Sequence, residues 1–188
     1  MPSLPERRRL TLRRETLNVL IGVAIFGALY IGYLAYQNHR AEAYYANLRK
    51  TDPLRYLDDL RKSEGFAAYL DKYRLLEGYT SDRPQVPPFI LGRWTMRVVP
   101  QRVAPGTVFS DCLNPVSFQH GLFRLHEGPK AVAYKVEYRI TGQDLILTGD
   151  RIGRLAVAMV SYGSAIDHLE LHPPGEADQT YYAYRCGS

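Results

Sequence analysis

The 188-residue chain is poor in sulfur and in tryptophan, with two cysteines, three methionines and one tryptophan. Two cysteines are too few for the disulfide framework that replaces a core in small secreted scaffolds, and neither sits in a C-x-x-C pair of the zinc or redox kind. No glycine-rich phosphate loop occurs. Ser161-Tyr162-Gly163-Ser164 lacks the G-x-S-x-G elbow and its strand-to-helix setting, so no hydrolase nucleophile is marked. Repeats and low-complexity tracts are missing as well. The five histidines, His39, His120, His126, His168 and His172, include one close pair, and IDHLELH alternates like a strand, which sets His168 and His172 about 13 Å apart, too far for one ion. His39, just beyond an apolar run, reads as a solvated interfacial histidine in preference to one that approaches a pigment or haem held by a neighbour. The expectation is a chain that is not an enzyme and carries no cofactor or metal.

A basic face for nucleic acid is not in evidence either. The net charge of +5 divides as +3 in residues 1–16, +1 in 38–88 and +1 in 89–188, so the basic character comes largely from the first residues. What the chain does have is one long apolar run. Leu17 to Gln37 holds no charged residue, and at about 1.5 Å per residue such a helix crosses a hydrocarbon core. Arg7, Arg8, Arg9, Arg13 and Arg14 precede it against Glu6 and Glu15, and by the positive-inside bias they keep residues 1–16 in the cytoplasm and send the remainder out. Ala41-Glu42-Ala43 resembles a signal-peptide cleavage site, but the apolar run exceeds a usual h-region, which favours a retained anchor. Ala24, Ala28 and Gly32 recur at i, i+4 and i+8 and line one stripe where a neighbouring transmembrane helix can approach closely; small residues are also simply common in such helices. Tyr30, Tyr33 and Tyr36 crowd the headgroup end.

Residues 38–79 read as a helical stalk and connector. Thr51-Asp52-Pro53 breaks the first helix and starts a second, in which Leu54, Leu57 and Leu60 share a side; Phe66, Tyr69, Leu70, Tyr73 and Leu76 mark a third, stopped at Gly78. Three prolines in residues 80–89 predict a linker. From residue 90 to 188, short strand-like runs separated by Gly and Pro predict an antiparallel barrel or sandwich of about eight strands. Val132, Tyr134, Val136, Tyr138 and Ile140 alternate with Ala133, Lys135, Glu137 and Arg139, one face buried and one wet. Thr141-Gly142-Gln143 predicts a tight hairpin. The fold class is therefore membrane-anchored α+β.

Cys112 and Cys186 share one compartment in this topology. A disulfide between them would close a loop of about 75 residues and contribute roughly 4 kcal/mol at most; two buried free thiols are the alternative.

Leu91-Gly92-Arg93-Trp94 resembles the G-x-W opening of lipocalin-like domains, and the tyrosine-rich stretch ending in Arg185-Cys186 is similar to segments that close such barrels. The likeness covers about residues 89–188. It implies that Gly92 and Trp94 form the barrel floor and that the domain is a ligand-holding or purely structural barrel, here too short for a roomy cavity.

These features point to an accessory subunit of a larger integral-membrane complex, of photosynthetic or respiratory type by analogy, partnered by other transmembrane subunits and the bilayer. A membrane-tethered binder of a small ligand or lipid and an assembly factor are the rival expectations.

Overall fold

The computed structural model describes residues 5–104, 106–127, 130–172 and 179–187, with side chains from Thr16 onward and excepting that of Glu127. The chain divides into two compact units, Met1–Asp52 and Pro53–Ser188.

The first unit is a single continuous helix, α1 (Pro5–Thr51), of 47 residues. The apolar run and the expected stalk thus form one rod, with no break until Asp52. Among the described residues it is the one helix long and apolar enough to cross a membrane, and none of the side chains in its most apolar stretch is buried. Arg7, Arg8, Arg9, Arg13 and Arg14, expected to set the topology, lie within the span of α1, but their side chains fall outside the described ones.

The second unit starts where proline fits the first turn of a helix. It contains α2 (Pro53–Ser63) and α3 (Phe66–Leu76), followed by nine strands: β1 (Gly92–Arg97), β2 (Pro115–Gln119), β3 (Leu122–Glu127), β4 (Lys130–Lys135), β5 (Glu137–Thr141), β6 (Asp144–Gly149), β7 (Gly153–Tyr162), β8 (Ala165–His172) and β9 (Tyr181–Arg185). On α2 the buried side is Tyr56, Leu57 and Leu60, while Leu54 is 73% exposed: one turn earlier, it lies beyond what the helix covers. On α3 the buried residues are Phe66, Leu70 and Tyr73, and Leu76 faces solvent.

All strands join one antiparallel sheet in the order β4-β3-β2-β1-β9-β8-β7-β6-β5, which curls into a nearly closed barrel. The two outer strands are consecutive in the chain and separated by Val136 alone. One long stretch, 130–141, therefore bends at Val136, pairing its first half with β3 and its second half with β6. Counted this way the barrel has eight staves, as its strand-like runs predict. At the bend, the two halves leave their former neighbours. Residues 83–84 fill one resulting gap: Arg83 and Tyr138 exchange backbone hydrogen bonds, and Gly121 N–H donates to the Pro84 carbonyl. The proline-rich segment expected as a linker is thus laid onto the barrel, with Val86 buried and its N–H donating to His120 Nδ1 at 3.3 Å. On the other side, Gly149 lies so near the Lys135 carbonyl that a Cβ there would fall 2.2 Å from its oxygen.

The paired registers put Trp94, Phe118, Phe123, Tyr138, Leu145 and Leu169 on the inner face, each at most 2% exposed. The interior is filled by side chains. Tyr138 reaches from β5 to the β2–β3 turn, its hydroxyl donating to the Gln119 carbonyl at 2.7 Å with the Leu122 carbonyl at the same distance. The hairpin predicted at Thr141-Gly142-Gln143 joins β5 to β6, with Gly142 at φ +61°, where a side chain would strain the turn.

Residues 98–104 and 106–114 cross the outer face of β1 and β9. Thr95 Oγ1 donates to the Leu113 carbonyl at 2.9 Å, and Gln101 N–H donates to the Tyr184 hydroxyl at 2.7 Å. Phe109 bridges to Cys186, and a disulfide joins Cys112 to Cys186, Cα atoms 5.6 Å apart. Thr95 and Tyr184 are consequently buried although they point away from the barrel interior.

Candidate functional site

The end of the barrel that carries Trp94 is covered by α2, α3 and the segment that follows them. Phe66 N–H, at the start of α3, donates to the Gly163 carbonyl at 2.8 Å in the turn between β7 and β8. Phe89 sits among Phe66, Tyr69 and Tyr73 with ring centroids 5.3, 5.8 and 5.1 Å away, all edge-on. Edge-to-face packing of this kind contributes about 0.5–1.5 kcal/mol per pair beyond burial. Burial raises the Tyr69 phenol from its ordinary value of 10 to about 12 and pushes those of Tyr73 and Tyr79 up as well.

Trp94 is 2% exposed, and its indole N–H donates to the Ile90 carbonyl at 2.8 Å, so its polar atom is satisfied. The guanidinium of Arg185 lies 5.0 Å above the Trp94 ring and donates to the Phe89 carbonyl at 2.6 Å. From α2, Arg61 donates through Nε to the Ser164 carbonyl at 2.6 Å and sits over Phe66 and Tyr69. Between these groups lies a cavity of about 250 Å³, lined also by Gly106, Thr107, Ala165, Ile166 and Asp167. In the β7–β8 ladder Val160 pairs with His168 and Ser161 with Ile166, which leaves Asp167 as the extra residue of a bulge. Bulges re-aim a side chain, and here the bulged residue lines the cavity.

The other residues singled out in the sequence are dispersed. Gly92 opens β1 beside Trp94. Ala24, Ala28 and Gly32 stand exposed on α1, with nothing within 4 Å of a Cβ built at Gly32. His168 is held between Asp167 (Nδ1 to Oδ2, 2.7 Å) and Glu170 (Nε2 to Oε1, 3.4 Å), while His172 approaches Thr180. Among the described residues no group of three or more His, Cys, Asp or Glu side chains is placed to hold a metal. Arg61 carries no sequence signal: it reads as one more charge on the wet side of an amphipathic helix.

A second, wider cleft of about 860 Å³ follows the bend in the 130–141 strand, between Gly121, Lys135 and Glu137 on one side and Gly149 and Arg154 on the other.

No protein family model, no curated protein and no solved structure matches the chain. What defines its class is the architecture itself: a long exposed apolar helix, followed by a disulfide-tied, nearly closed antiparallel barrel with a helical cover.

Proposed function

We propose that this chain is a non-catalytic accessory subunit of an integral-membrane assembly, anchored by α1 and carrying its barrel domain on the extracytoplasmic side. The observation that carries the reading is the surface of α1. Val23, Phe26, Leu29 and Ile31 are 65–73% exposed, whereas in the barrel Trp94, Phe118, Phe123 and Tyr138 are each at most 2% exposed. Scattered apolar residues such as Leu54 and Val99 are exposed on the barrel unit too, but an unbroken apolar surface on a helix of this length calls for lipid or other helices around it. The Ala24–Ala28–Gly32 stripe offers one side where another helix can pack closely, since small residues let backbones approach. The five arginines before the run supply the inward bias, and the Cys112–Cys186 bond suits an oxidising compartment. The host, taken to be a photosynthetic or respiratory complex, rests on analogy alone.

Extraction in mild detergent followed by size analysis tests the proposal. The expected result is migration in a complex much larger than the chain plus its micelle; migration alone overturns it. Replacing Ala28 and Gly32 by Leu should reduce incorporation, and a reporter fused after Ser188 should be active outside the cytoplasm.

A further inference from the structure

The cavity beside Trp94 brings two guanidiniums into one small space, Arg61 from α2 and Arg185 from β9, against a single carboxylate, Asp167. That carboxylate already engages His168, and among the described residues no acidic side chain lies within ion-pair distance of either arginine. Each guanidinium is fixed by one donated bond to a carbonyl and by an aromatic face, so the planar forks are held in place before anything binds. Most of their N–H donors find no acceptor among the described residues. Two like charges in a partly dry site repel one another, and burial together with the charge of Arg61 pulls the Arg185 guanidinium below its ordinary value.

Apart from Gly106 and the hydroxyl-bearing Thr107, the rest of the wall is apolar: Phe89, Trp94, Ala165 and Ile166. A fork of donors beside half-buried apolar side chains fits a carboxylate with a compact hydrocarbon body, because arginine matches carboxylate oxygens in paired bonds and the body gains by leaving water. Inorganic phosphate would satisfy the donors but gain nothing from the wall. We infer that this cavity binds the carboxylate of a small organic acid, its oxygens bridging Arg61 and Arg185 and its hydrocarbon part lying against Phe89, Ala165 and Ile166.

Trp94 is the only tryptophan in the chain, so its fluorescence reports on this cavity alone. The full chain in detergent micelles is titrated at constant ionic strength with cyclohexanecarboxylate, with the neutral cyclohexylmethanol and with inorganic phosphate. Expected are a saturable change with the carboxylate, none with the alcohol and a much weaker one with phosphate. Arg61→Gln should weaken carboxylate binding about tenfold or more, the loss of a charge-assisted bond. Ala165→Met, which fills the cavity and keeps both arginines, should abolish binding, and it decides the matter if Arg61→Gln does not fold. The inference is overturned by the absence of saturation, by an equal response to the alcohol, or by unchanged affinity in the folded variants. Phosphate binding as tightly as the carboxylate overturns the assignment of an organic acid. The outcome does not depend on whether α1 sits in a membrane.

Discussion

The two units of this chain solve opposite problems with similar residues. In α1, Phe26 and its apolar neighbours point outward with nothing of their own unit to cover them, whereas in the barrel Phe118 is fully buried between Gly92 and Phe123 in the paired strands. One phenylalanine contributes to the stability of its unit through burial; the other contributes only to what surrounds the helix. Hydrophobicity alone does not tell the two apart. The periodicity does, because a strand alternating every second residue has an inside, and a run apolar on every side has none.

The strongest test of this contrast is a matched truncation. Phe118→Ala should destabilise the barrel by about 3–5 kcal/mol in a denaturant titration, while Phe26→Ala should leave the same unfolding midpoint unmoved. A comparable loss from both would show that α1 is part of the cooperative unit. Next in size comes the crosslink. Cys112→Ser with Cys186→Ser frees a loop with a sequence separation of 74 residues, and on the chain-entropy account the loss is about 2–4 kcal/mol. Partitioning of the chain into membranes should not change in that variant. Gly149→Ala, whose added carbon would meet the Lys135 carbonyl, should lower barrel stability by about 1–3 kcal/mol; an unchanged melting temperature would mean that the bend at Val136 gives way easily.

At ordinary pH the last effect is silent, and it shows only in alkali. In the folded state the Tyr69 phenol is raised by burial to about 12, and those of Tyr73, Tyr79 and Tyr138 are also shifted upward. A raised phenol means that the unfolded chain ionises first. Stability should therefore be fully present below pH 10 and decline as the pH climbs towards 12, with phenolate absorbance and unfolding followed together. Ionisation of all tyrosines near their ordinary value, without loss of structure, would contradict the packing around Phe89.

Much of the barrel could be read before any coordinates. Val132 to Ile140 alternate as an inner and outer face must, Gly142 marks its turn, and Thr51-Asp52-Pro53 stops one helix and starts the next. The bend at Val136 left no trace, because both halves of 130–141 keep the same parity and read as one strand. Pro84, Pro87 and Pro88 announce that a helix cannot continue, but they do not say which backbone groups residues 83–86 will satisfy; that depends on a gap formed by strands far along the chain. The cavity was hidden for the same reason. Arg61 and Arg185 come together only through the docking of α2 at the barrel end, and nothing local to either residue marks the other.

The shared stretch from Lys130 to Thr141 has a consequence for how the chain tolerates change. Because its first half belongs to one ladder and its second half to the other, an odd insertion or deletion at Val136 would turn one half over relative to its partner strands. The ring could then keep its hydrogen bonds or its greasy lining, and not both. Length variation should be tolerated in the surface turns and excluded from this one stave, which acts as the clasp of the hoop.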